Sequence, residues 1–197
     1  MAFAFVFVLF HNREKQDKNK VDMRYSLMKN FLILHGPMGV GKSTVSRHVC
    51  HLLQPSALLE GDWCWQIFPF CPHEENKEMA LKHMIYLLNS YLHNKNISYL
   101  VFNWVLQDDK IFQKILPFLD LSHAKVHRFA LLCEEKALEK RLQKDISTGL
   151  READSIARSL SYLPLYAQTK SQVLDTTNLS PEQVAKRIAH LVLMSQE

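Results

Sequence analysis

Gly36-Pro37-Met38-Gly39-Val40-Gly41-Lys42-Ser43 matches G-x-x-x-x-G-K-[ST] at every fixed position, the pattern of a glycine-rich turn between a strand and a helix. The flanks have the required character. Phe31-Leu32-Ile33-Leu34 upstream is a short apolar run of the kind buried on both faces of a parallel sheet, and Thr44 to Leu53 downstream continues as a helix. Glycines at 36, 39 and 41 let main-chain N–H groups approach a phosphate with no Cβ in the way. Gly36, Gly39, Val40, Gly41, Lys42, Ser43 and Thr44 are therefore candidate nucleotide-binding residues. They form a nest of amides at the positive end of a helix dipole, with Lys42 reaching the β and γ oxygens and the Ser43 hydroxyl available to Mg²⁺. ATP and Mg²⁺ are the cofactors this chemistry requires, and Lys42 counts as catalytic.

Working outward, the second apolar run, Ala57-Leu58-Leu59, ends in Glu60-Gly61-Asp62-Trp63-Cys64-Trp65. In a parallel sheet the carboxyl ends of strands face the ligand crevice. Glu60 and Asp62 are two apart, so in continued extended chain they project to one side. One would help hold hydrated Mg²⁺ beside Ser43 while the other orients or deprotonates an attacking hydroxyl; Asp62 is the candidate base. The alternatives are a solvated strand end for Glu60 and a cap for Asp62. Trp63 and Trp65 either stack on a planar acceptor or close the core over the loop. A third strand, Ser98 to Phe102, ends at Asn103-Trp104 with no acid after it. That shifts metal support toward Glu60 and Asp62, and leaves Asn103 as a substrate contact or a turn residue.

Between these strands the pattern of His73 to His93 predicts a long helix, whose histidines at 73, 83 and 93 lack metal-ligand spacing. A helix near Asp109 to Leu119, a strand Lys125 to Leu132 and a helix from Cys133-Glu134-Glu135 through Lys144 follow. The polar segment Asp145 to Asp154 and the residues just after it, about 145–160, read as a lid. Lys140, Arg141, Lys144, Arg151 and Arg158 collect there. Arginines brought over a phosphate loop neutralise the transferred group while closure excludes water, which makes Arg151 and Arg158 catalytic candidates and Arg141 a nucleotide contact. A solvated helical face is the alternative. Gln172 to Asp175 reads as a fifth strand, and Ser180-Pro181 as N-cap and first residue of a closing helix. The alternation implies a three-layer α/β/α sandwich around a parallel five-stranded sheet.

Composition agrees with one domain. The 197 residues are 47% hydrophobic and 22% charged, enough to bury a full core and inconsistent with disorder or a disulfide scaffold. A net charge of +4 permits an anionic ligand and does not argue for nucleic acid. Cys50, Cys64, Cys71 and Cys133 contain no CxxC pair, so free thiols in a reducing, cytoplasmic setting are expected. Ala2 to Phe10 is an apolar run too short to span a bilayer, without signal-peptide flanks. Residues 1–29 are expected to be a non-functional extension ahead of a domain at 30–197: an added strand, an unstructured tail, or residues preceding a natural start at Met23 or Met28. A surface membrane anchor is the alternative.

The stretch Gly36 to Ser43, the Glu60-Gly61-Asp62 element, Cys133 to Leu142 with its Arg141-Leu142 pair, and Leu174-Asp175-Thr176-Thr177-Asn178-Leu179-Ser180-Pro181 together resemble the P-loop small-molecule kinases. That superfamily includes adenylate, shikimate and gluconate kinases and chloramphenicol phosphotransferase-like proteins. The Gly-Asp-Trp-Cys-Trp stretch resembles most the AAA-domain nucleotide-kinase proteins. The resemblance implies a P-loop NTPase fold, an acceptor facing Asp62, and a loop after strand 5, with Thr177, beside the adenine. Two departures stand out: Asp145 occupies the place of a second lid arginine, and the arginines that grip a nucleotide acceptor's phosphate have no counterpart.

The expected activity is ATP- and Mg²⁺-dependent phosphoryl transfer to a small-molecule acceptor, a nucleotide among the candidates, by a monomer or homodimer acting apart from membranes and nucleic acid. The rival from another class is a non-catalytic or weakly hydrolytic nucleotide-binding regulatory module, which the missing strand-3 acid leaves open. A kinase of sugar nucleotides or RNA ends is a further alternative.

Overall fold

The computed structural model describes residues 28–166 and 168–195; the expectations for the first 27 residues lie outside them. The elements run β1 (Lys29–His35), α1 (Lys42–Leu52), β2 (Ser56–Glu60), α2 (Glu74–His93), β3 (Tyr99–Trp104), α3 (Asp109–Gln113), β4 (Ala124–Leu132), α4 (Glu135–Ser147), α5 (Ser155–Tyr166), β5 (Gln172–Asp175) and α6 (Pro181–Met194). The strands pair in parallel in the order β2-β3-β1-β4-β5.

β1 lies at the centre because both its faces are apolar. Phe31 and Ile33 join a core under α2 and α3, whereas Leu32 and Leu34 join the opposite core under α1, α4 and α6. The period of two thus divides one strand between two layers of helices. Four helices pack through apolar stripes: Val45 and Val49 from α1, Met84 and Leu88 from α2, Leu138 and Leu142 from α4, and Val184, Ile188 and Val192 from α6. The start of α6 carries a full capping box, in which Ser180 and Gln183 exchange side-chain bonds with each other's backbone and Pro181 stands in the first turn.

Three expectations change. The helix anticipated over Asp109 to Leu119 stops at Gln113, and Leu116–Phe118 forms a separate 3₁₀ turn; Pro117 lacks an N–H and cannot continue an α-helix. The stretch 145–160 has more helix than expected, because α4 runs on to Ser147 and α5 begins at Ser155. After Glu60 the chain turns into a 3₁₀ segment, Gly61–Trp65, and does not stay extended. All four cysteines are free thiols. Among the described residues no helix is long and apolar enough to cross a membrane.

Candidate active site

The loop leaving β1 takes left-handed backbone at Gly39 (φ 83°) and Gly41 (φ 104°), conformations a side chain disfavours. Gly41 is also the N-cap of α1, which has no side-chain capping bond and no acid in its first turn. Its leading amides and dipole are therefore left for an anionic ligand. Lys42 folds back over the turn, its Nζ donating to the carbonyls of Gly36 at 3.0 Å and Pro37 at 2.9 Å. Burial lowers the Lys42 pKa to about 8; the charge of Asp62 opposes this and that of Arg151 adds to it.

A cleft of about 490 Å³ opens over the loop. Its floor is Met38 to Val45; Asp62 enters from the exit of β2, Asn103 and Val105 from β3, Arg141, Lys144, Asp145 and Arg151 from α4 and the turn after it, and Thr176, Leu179, Pro181 and Val184 from the β5–α6 side. Of the residues expected from sequence, Gly39, Val40, Gly41, Lys42, Ser43, Thr44, Asp62, Asn103, Arg141 and Arg151 meet here. Gly36 lies beneath, supporting Lys42.

Glu60, Trp63, Trp65, Arg158 and Thr177 do not line the cleft. Because Gly61 begins a 3₁₀ turn, the two carboxylates diverge. Glu60 is 6% exposed and accepts from Arg47 Nη2 of α1 at 2.9 Å, so its charge is spent on tying β2 to α1. Trp65 packs on the α2 core, with Phe70 at 6.0 Å between ring centroids, and its indole N–H has no partner among the described residues. Trp63 faces outward. Arg158 pairs with Asp154 one turn earlier at 3.2 Å. Thr177 serves the loop itself: its hydroxyl accepts from Glu134 N at 3.0 Å and donates to Asp175 Oδ1 at 2.6 Å. Its neighbour Thr176 holds the cleft position.

Arg141 bridges the glycine loop and the β5–α6 turn, donating to Val40 O at 3.3 Å, Thr176 Oγ1 at 3.1 Å and Thr176 O at 2.6 Å. Arg151 Nε donates to Asp145 Oδ2 at 3.0 Å. Asn103 donates from Nδ2 to Ser46 Oγ at 3.0 Å, both buried, which anchors the Asn103 amide against α1.

Sequence reasoning passed over His35, the last residue of β1. It is fully buried, with Nδ1 2.9 Å from Leu106 O and Nε2 2.7 Å from Ser171 Oγ. Burial pushes its pKa down to about 4, so the ring is neutral: Nδ1–H donates to Leu106 and Nε2 accepts from Ser171. One side chain thereby joins the segments after β3 and before β5 to the base of the phosphate loop. The available signal was a histidine ending an otherwise apolar strand.

Ser43, Asp62 and Asn103 offer the hard oxygen donors that suit Mg²⁺. No group of three His, Cys, Asp or Glu side chains among the described residues could hold a metal ion alone, so such an ion's shell would be completed by phosphate and water.

If Lys42 meets the phosphates, its lowered pKa gives a testable pH profile. Phosphate holds the ammonium charged, so the complex binds a proton that free protein releases above about pH 8. Nucleotide affinity measured calorimetrically is expected to be level up to that point and then to fall by as much as about tenfold per pH unit. A flat profile to pH 9.5 would exclude Lys42 as the titrating contact.

No family model and no curated protein matches the sequence. Among solved structures the chain is similar to a tunicamycin resistance protein from Deinococcus radiodurans, at 21% identity and TM-score 0.62 over 83% of this chain and 95% of that one. It is also similar to shikimate kinase from Acinetobacter baumannii in complex with shikimate, at 19% identity and TM-score 0.59 over 89% and 98%. A gluconokinase from Sinorhizobium meliloti matches at 14% identity and TM-score 0.58 over 87% and 99%. With the parallel sheet in the order β2-β3-β1-β4-β5 and the glycine loop leaving its central strand, the chain has the fold of the P-loop small-molecule kinases.

Proposed function

We propose that the protein is an ATP- and Mg²⁺-dependent phosphotransferase acting on a small hydroxylated acceptor. The observation that carries this reading is the meeting of Lys42, Arg151 and Asp62 in one cleft at the uncapped start of α1. A cation pair suits developing charge on a phosphoryl group, and a carboxylate beside it suits an incoming hydroxyl.

The triphosphate lies along the amides of Gly39 to Thr44, and the adenine end points toward Arg141, Thr176, Leu179 and Pro181. Ser43, with Asp62 reaching through water, would hold Mg²⁺, which screens the β and γ oxygens. Asp62 takes the proton of the acceptor hydroxyl as its oxygen bonds to the γ-phosphorus; the bond to the β–γ bridging oxygen breaks, and ADP leaves with its new charge opposite Lys42 and Arg151. Residues 145–160 close over the transfer, moving Arg151 with the turn that follows α4. Asn103, steadied by Ser46, presents its amide to metal-bound water or to the acceptor.

The test is ADP release with and without hydroxylated acceptors. Asp62→Asn is expected to keep ATP affinity within about threefold and to lose at least about a hundredfold in acceptor-dependent turnover. Retained turnover removes Asp62 as base. Asn103 at the strand-3 exit favours the second reading, a nucleotide-responsive regulatory module; ATP binding without stimulation by any acceptor would select it.

A further inference from the structure

We infer that the acceptor is an uncharged, hydroxyl-bearing molecule, and is not recognised through a phosphate or carboxylate. The inference rests on the phosphotransfer reading above and concerns the acceptor half of the same cleft.

That half is built from the exits of β2 and β3. Between Arg47 and Lys77 the sequence contains no lysine or arginine, and none occurs from Asn103 to Asp109. What these exits contribute to the cleft is Asp62, Asn103 and Val105, one anion, one amide and one apolar side chain. No histidine is among the residues lining it. An acceptor carrying phosphate or carboxylate would face Asp62 with no opposing charge supplied by the exits of β2 and β3, and like charges in a partly desolvated cleft repel.

The two arginines that line the cleft are already committed: Arg151 holds Asp145 at 3.0 Å and stands with Lys42 at the phosphoryl group in the reading above, and Arg141 is spread over Val40 and Thr176. Arg47, outside the cleft lining, holds Glu60 at 2.9 Å. Lys144, the remaining α4 cation of the cleft, stands one turn beyond Arg141 and carries no fork of donors. The fork geometry by which guanidinium grips an oxyanion is therefore absent from the acceptor half among the described residues.

The test uses the full chain with Mg²⁺. Protein saturated with a non-hydrolysable ATP analogue is titrated with inorganic phosphate, AMP and gluconate, and the free protein is titrated with ATP and with diadenosine pentaphosphate. The expected result is no anion bound more tightly than about 5 mM, and diadenosine pentaphosphate within about tenfold of ATP. A tighter anion site, or a larger gain from the bisubstrate compound, overturns the inference. ADP release with the matched pairs adenosine and AMP, and glucose and glucose 6-phosphate, adds a second reading: turnover that favours the anionic member of either pair overturns it as well. Failure of the ATP analogue to bind is a separate result that removes the phosphotransfer reading and this inference with it.

Discussion

Lys42→Ala is expected to lower acceptor-dependent ADP release by about a thousandfold or more, and to weaken ATP binding measurably by calorimetry. Removing one preorganised charge from a phosphoryl-transfer site costs on the order of 10²–10³ in rate, and Lys42 also contributes to ground-state binding. The Nζ bonds to Gly36 and Pro37 make the side chain part of the loop's own architecture. A structural readout must therefore accompany the kinetic one. Lys42→Met keeps most of the aliphatic stem and separates lost charge from lost packing. If both variants melt near the parent temperature and bind no triphosphate, the charge is responsible. Turnover within tenfold of the parent in either variant would remove Lys42 from the transfer step.

Gly36→Ala is expected to cost about 3 kcal/mol of stability, read as a lower urea midpoint with an unchanged slope. An added Cβ would stand 2.3 Å from the carbonyl oxygen of Leu131, with φ at +149°. The colliding atom is backbone in the middle of the sheet, so no rotamer change relieves it. Gly149 is the control: its φ is +72°, but a Cβ there meets nothing within 4 Å, and Gly149→Ala should cost only about 1 kcal/mol. Equal effects at both positions would show that the close approach of the loop to β4 is not what the glycine provides.

The strands could be read from sequence because parallel strands buried on both faces are unbroken apolar runs. Gln172–Asp175 was placed to the residue. The phosphate loop was legible because its chemistry is local, with three glycines, a lysine and a serine within one turn of chain. What escaped notice depends on distant partners. His35 and Ser171 are 136 residues apart, and Asn103 and Ser46 are 57 apart; nothing beside either residue announces the other. Glu60 was misplaced for a local reason. Alternation puts Glu60 and Asp62 on one side only while the chain stays extended, and the 3₁₀ turn begins at Gly61. Thr176 lines the cleft where sequence singles out Thr177, because the hydroxyl that meets Arg141 and the hydroxyl that clasps Asp175 belong to adjacent threonines.

β1 stands mid-sheet, with β3 and β2 on one flank and β4 and β5 on the other. Of the cleft residues, Arg141, Lys144 and Thr176 hang from the second flank, and Asp62 and Asn103 hang from the first. The two inventories share only the loop between them. A chimaera that replaces residues 63–72 leaves Asp62 and every strand register untouched, so on the proposed reading the acceptor side can be changed by cassette exchange while the triphosphate end is carried over.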